Sequence, residues 1–144
     1  MFQSPYCAVV VDDDAAVLAS IRFVLEAEGL SVLTFDSAKA VLAADLPEQG
    51  CLILDQLMPG GTGLELLSQL RQRGVEMPAL LLTSSATHAV RRAAQAAETP
   101  VLEKPVFGET LVRTFLDRAS SGRRPEARPR RPVRGTRESQ QPPA

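Results

Sequence analysis

Five short apolar runs separated by helix-compatible stretches constrain this chain more than any other feature. The runs are YCAVVVD (residues 6–12), LSVLTF (30–35), CLILD (51–55), ALLLT (79–83) and VLE (101–103). Each is too short for a helix and is dominated by Val, Leu and Ile, so each reads as a strand buried on both faces. Between the first two, Val17, Leu18, Ile21 and Leu25 recur at helical spacing, and Gly29 supplies a stop. Ser37 is placed to cap a short helix holding Val41 and Leu42. MPGGTG (58–63) reads as loop. Leu64, Leu67 and Leu70 then mark a helix closed by Gly74. An Ala-rich helix spans 86–97, with His88, Arg91 and Arg92 solvated and Ser84 or Ser85 as its cap, and a last helix carries Leu111, Phe115 and Leu116.

Strand and helix alternating five times imply βαβ crossovers, hence a parallel sheet with helices on both faces: the α/β class. In such a sheet function lies beyond the C-terminal strand ends. The periodicity stops after Ala119, so residues 1–119 read as one domain. Residues 120–144 carry five Pro and seven Arg with Val133 as the one sizeable aliphatic side chain. That composition predicts a disordered basic tail. From Arg118 onward eight Arg face Glu126 and Glu138, a net +6, which leaves −7 on the residues before it in a chain of net −1. The tail has the charge for weak nonspecific nucleic-acid binding through phosphates but lacks interleaved aromatics for base stacking.

No apolar run approaches the ~20 residues that span a bilayer, and the opening MFQSPYCAVV has no signal-peptide pattern. These features predict a cytoplasmic protein. Cys7 and Cys51 have no metal-ligand spacing and read as small buried hydrophobes.

The strand ends carry the chemistry. The first run delivers Asp12 and Asp13, the third Asp55, the fourth Thr83, and the fifth is followed by Lys104. A parallel sheet brings these to one edge. Carboxylates gathered there repel by about 4 kcal/mol per pair at ~4 Å and an effective dielectric of 20, so they need raised pKa values or a cation. All-oxygen donors favour Mg²⁺ or Ca²⁺, and an incomplete carboxylate shell favours Mg²⁺. An Asp nucleophile, a bound divalent cation, a Lys ammonium and a Thr hydroxyl together suit phosphoryl transfer.

On VVVDDD, LDQLMPGGTGLELL, LLLTS and LEKP, in that order, the chain resembles the response-regulator receiver family, in particular the subgroup with an LD-x-x-MPG-x-x-G loop and EKP after the fifth strand. The resemblance implies a flavodoxin-like (βα)5 fold with strand order 2-1-3-4-5. It implies that Asp55 is the phosphoacceptor, that Asp13 binds Mg²⁺ directly and Asp12 mainly through water, and that the Leu57 backbone carbonyl completes the protein ligands. Thr83 would be the switch hydroxyl, Lys104 the phosphate partner, and the Lys104–Pro105 bond cis. The implied partners are a histidine kinase or phosphotransfer protein and a downstream protein target, with no membrane role. A receiver accepts a phosphoryl group and can lose it by hydrolysis, without being a turnover enzyme.

Three features depart from the family pattern. Val101 stands where receivers usually carry Tyr or Phe, and Ala97-Glu98 stands where the preceding helix usually ends in Gly-Ala. The matching subgroup usually continues into a helix-turn-helix, and nothing after Ala119 has the pattern of a DNA-binding domain. A phosphorylation-independent, receiver-like interaction module is therefore a second reading. A third is a haloacid-dehalogenase-like phosphatase, whose Asp-x-Asp motif would map onto Asp12 and Asp14. It leaves Asp55 without a role, and Asp14 also suits a helix cap.

Overall fold

Each of the five apolar runs forms a strand of one parallel sheet in the computed structural model, which describes residues 5–121. In chain order the elements are β1 (Cys7–Val11), α1 (Ala15–Glu26), β2 (Ser31–Phe35), α2 (Ala38–Leu42), β3 (Gly50–Asp55), β4 (Leu57–Met58), β5 (Gly61–Thr62), α3 (Gly63–Gln72), β6 (Ala79–Thr83), α4 (His88–Ala96), β7 (Val101–Glu103) and α5 (Gly108–Ser121). The large sheet runs β2-β1-β3-β6-β7, all neighbours parallel. Counted over its own five strands this is 2-1-3-4-5, the order the resemblance implied. The basic segment beyond residue 121 lies outside the described residues.

Alternate residues of the central strands divide between two apolar layers. Val9, Val11, Leu52, Leu54 and Leu81 pack with Val41 of α2, Leu66, Leu67 and Leu70 of α3, and Ala94 of α4. Val10, Cys51, Ile53, Leu80 and Leu82 pack with Ile21 and Leu25 of α1 and with Leu111, Phe115 and Ala119 of α5. Both faces being covered, no polar alternation survives in these strands; hence the unbroken apolar runs. Cys7 and Cys51 are buried free thiols, as expected.

The helix ends follow local chemistry. Asp14 caps α1 by accepting the Ala16 and Val17 N–H groups, and Ser37 caps α2. Gly29, at φ +83°, closes α1 while Gly29 and Leu30 donate back to Glu26 and Leu25.

Several details differ from the sequence expectation. Thr87, not Ser84 or Ser85, caps α4 by accepting the Val90 N–H, because the helix starts two residues later than expected, at His88, and the Ser85 backbone turns back to the Thr83 hydroxyl. Leu116 lies on the solvent side of α5 and Ala119 is buried instead, so the inward stripe runs Leu111, Phe115, Ala119 at a strict four-residue step. The 58–63 segment is not simple loop: Leu57 and Met58 pair antiparallel with Thr62 and Gly61 in a small hairpin.

Candidate functional site

Strand register delivers the site. Val11 of β1 pairs with Leu54 of β3, so Asp12 and Asp55, each one residue further on, leave the sheet side by side. Asp55 is level with Leu82 on β6, which places Thr83 one step beyond. Thr83 pairs with Glu103 on β7, and the Lys104 N–H donates to the Thr83 carbonyl at 2.8 Å. All five residues singled out at the strand ends therefore share one edge.

Carboxylate oxygens of Asp12, Asp13 and Asp55 lie within 4.8 Å of one another. Asp12 and Asp55 are buried and Asp13 is exposed. The Lys104 ammonium donates to Asp12 Oδ2 at 2.8 Å and stands 3.3 Å from Asp55 Oδ1. Asp12 Oδ1 accepts the Asp14 N–H at 2.9 Å, which turns the chain so that consecutive acids point differently. Asp55 Oδ1 also accepts the Leu57 N–H at 3.4 Å. Among the described residues Asp55 Oδ2 accepts no hydrogen bond, which leaves one oxygen anchored and the other available. The Lys104–Pro105 peptide is cis. The buried Thr83 hydroxyl donates to the Ser85 carbonyl and accepts the Ser85 N–H.

The electrostatics leave the cluster short of positive charge. Three carboxylates against one ammonium leave a formal −2, and each carboxylate pair at 4.8 Å costs about 3.5 kcal/mol at an effective dielectric of 20. Burial and then the neighbouring Asp12 charge hold the Asp55 carboxyl above its ordinary pKa, although Lys104 pulls the other way. Burial disfavours the Lys104 ammonium, but its hydrogen bond to Asp12 and the charges of Asp12 and Asp55 outweigh this and raise its pKa. A hard, doubly charged cation matches both the residual charge and the all-oxygen donor set. Asp14 lies outside this cluster, exposed, with its carboxylate committed to the start of α1; that removes the second acid of the phosphatase-like motif.

The loop after Asp55 holds what sequence reasoning missed. A methyl group at Gly63 would come within 2.5 Å of the Asp55 carbonyl oxygen and 2.9 Å of Leu81, so only glycine lets α3 start against the site. Thr62 and Glu65 form a capping box at that helix start, and its Thr-x-x-Glu spacing was present in the sequence as a signal. Gln56, buried between the phosphoacceptor candidate and Leu57, accepts the Leu64 N–H through its side chain at 3.1 Å. No sequence signal marks that contact.

A parallel five-stranded sheet with three acids, a hydroxyl and a lysine at its C-terminal edge defines the receiver class. Residues 8–115 match the family model for the response regulator receiver domain, and the chain belongs to that family. It is 39% identical over 125 residues to the transcriptional regulatory protein FixJ of Azorhizobium caulinodans, an alignment covering 83% of this chain and 59% of that protein. It is 40% identical over 108 residues to the response regulator MprA of Mycobacterium avium, covering 72% of this chain and 46% of the relative. Among solved structures, full-length FixJ from B. japonicum superposes with a TM-score of 0.77 at 30% identity, covering 84% of this chain and 61% of that one. A CheY-like receiver domain from Methanospirillum hungatei gives 0.74 at 24% identity, covering 83% and 97%, a likeness of fold. The chain thus spans about half the length of the curated relatives it matches. Among the described residues no helix is long and apolar enough to cross a membrane.

Proposed function

We propose that this chain is a phosphoacceptor of a cytoplasmic two-component phosphorelay, taking a phosphoryl group on Asp55 from a histidine kinase or phosphotransfer protein. The observation that carries the reading is the Asp12–Asp13–Asp55 cluster bridged by Lys104. Asp12, Asp13, Asp55 and the Leu57 carbonyl would hold Mg²⁺, which when bound offsets charge on the phosphoryl oxygens. The unanchored Asp55 oxygen attacks phosphorus in line with the leaving group. A new Asp55 O–P bond forms, the P–N bond of the donor phosphohistidine breaks, and its electron pair stays on the imidazole, which takes a proton from solvent. Lys104, already 3.3 Å from Asp55, follows the new negative charge. Thr83 must give up Ser85 to reach the phosphoryl group, which couples phosphorylation to the 84–87 connector. The phosphoryl group leaves by hydrolysis or onward transfer, and output passes to a protein target.

The FixJ relatives are transcriptional regulators, and this chain matches only part of their length, so a transcriptional output is proposed at most for a longer protein containing it. Incubation with acetyl phosphate and Mg²⁺ tests the reading by intact mass. One phosphoryl group should be added, lost in Asp55→Asn and on omitting Mg²⁺, with Asp13→Asn needing more Mg²⁺. An unchanged wild-type mass would favour the phosphorylation-independent module.

A further inference from the structure

We infer that Gln56 is a positioning residue that fixes the loop bearing the Leu57 carbonyl, and so sets the affinity of the site for its divalent cation. The inference rests on the phosphoacceptor reading above. It comes from a buried polar side chain that the reading does not otherwise use: Gln56 is 6% exposed.

Gln56 ties three elements together through three hydrogen bonds. Its N–H donates to the Leu82 carbonyl of β6 at 2.8 Å, which holds the residue in the sheet edge. Its carbonyl accepts the Gly63 N–H at 3.1 Å, and its side-chain Oε1 accepts the Leu64 N–H at 3.1 Å. Gly63 and Leu64 are the first two residues of α3. One residue therefore satisfies the first two unpaired N–H groups of the helix, while Thr62 satisfies the third by accepting from Glu65.

The consequence falls on the intervening segment. Residues 57–62 leave Gln56 and return to it, closed by the β4–β5 pairing. Gly63 seats the returning end against the Asp55 carbonyl. The Leu57 N–H also donates to Asp55 Oδ1. Leu57 is thus held at its N–H by Asp55, while its carbonyl, on the next peptide, opens a hairpin whose far end is pinned by the Gln56 side chain. Without that acceptor the Leu64 N–H is left unpaired next to the site, and α3 gains by turning it toward water. The hairpin would loosen with it. A backbone carbonyl contributes to a cation site in proportion to how well it is preorganised, and groups that orient metal ligands govern affinity strongly.

The experiment compares the full chain with Gln56→Met and Gly74→Ala. Methionine matches the length of Gln but offers Leu64 no oxygen. Gly74, at φ +89° beyond the opposite end of α3 with open space around it, gives a loss of stability in the same helix remote from the site. Mg²⁺ affinity is read from calorimetry and from the rise of melting temperature with Mg²⁺, and phosphorylation rate by acetyl phosphate is followed against Mg²⁺. Gln56→Met should need roughly tenfold more Mg²⁺ for half-saturation, with the rate at saturating Mg²⁺ close to wild type. Gly74→Ala should lower the melting temperature and leave the Mg²⁺ dependence unchanged. Equal Mg²⁺ dependence in wild type and Gln56→Met, or an equal shift in Gly74→Ala, overturns the inference alone. A wild-type chain without any Mg²⁺ response overturns the phosphoacceptor reading and this inference with it. Should Gln56→Met fail to fold, Gln56→Asn, one methylene short of Leu64, replaces it with the same expected result.

Discussion

Glu98 is the one non-glycine residue among the described residues with a positive φ, +54°, and replacing it with glycine should stabilise the protein. It stands just past α4, where Glu98 donates to the Gln95 carbonyl and Thr99 reaches back to Ala94 at 2.9 Å. The same pair of bonds closes α1 at Gly29 and α3 at Gly74, both with glycine in the left-handed position. The Glu98 side chain is exposed, and its carbonyl is held by Arg118 Nη2 at 3.0 Å while Arg118 Nε holds Ala79 at 3.1 Å. The backbone geometry is thus imposed from both sides, and the side chain contributes little to it. A non-glycine residue in that conformation costs about 1–2 kcal/mol. Glycine returns roughly 0.4–1 kcal/mol through the greater freedom of its unfolded chain. The difference is a stabilisation of about 0.5–1 kcal/mol, or roughly 2–4 °C in melting temperature for a domain of this size.

Urea unfolding of the metal-free protein is the direct assay, with a raised midpoint and unchanged slope expected for Glu98→Gly. Glu98→Ala separates backbone from charge: it removes the carboxylate, keeps the left-handed penalty, and should match wild type within about 0.5 kcal/mol. If alanine stabilises as much as glycine, the effect is electrostatic and the backbone reasoning is wrong. If glycine gives no gain, residue 98 does not carry the strain.

Two further predictions concern titration. Asp55→Asn should raise the melting temperature of the metal-free protein at pH 7.5: the native state favours the protonated carboxyl, so ionisation costs stability above the raised pKa, and the advantage should shrink as the pH is lowered toward 3.8. The Cys51 thiol is pushed up to about 12 by burial from its ordinary 9.0. Between these values the native state holds a proton that the unfolded state has lost, so stability should fall with rising pH by about 1.4 kcal/mol per unit. Cys51→Ala should lack that component of the slope in urea titrations from pH 9 to 11; equal slopes would refute it.

The strand-end residues were legible because two effects coincide there. Strands buried on both faces leave an unbroken apolar run, and the next residue is the first that can be polar. Asp12, Asp55 and Thr83 therefore stand out at the ends of VVVD, LILD and LLLT. The helix caps divided differently. Asp14 and Ser37 directly precede their helices, whereas Thr87 was hidden behind Ser84 and Ser85, because α4 starts at His88 and the two serines lie in a local turn closed by the Thr83 hydroxyl on Ser85. Leu116 was misplaced because two adjacent apolar residues, Phe115 and Leu116, fit one helical stripe almost equally well. The packing of Ala119 under the sheet settles which of them faces inward.

Gln56 escaped for a more instructive reason. A polar residue between a strand and a loop is ordinarily solvated, and its type alone carries no sign of burial. What buries Gln56 is the close approach of α3, which depends on Gly63 having no side chain to strike Asp55 and Leu81. Once the helix start is that near, two of its N–H groups lose access to water and need acceptors. The residue after Asp55 is already within reach with a carbonyl, and Gln adds a second oxygen on a side chain long enough to turn back to Leu64. The glycine thus creates the demand that the glutamine satisfies, seven positions apart. It follows that any side chain at residue 63 should undo the Gln56 contact along with the helix start, and should affect the cation site more severely than substitution of Gln56 itself.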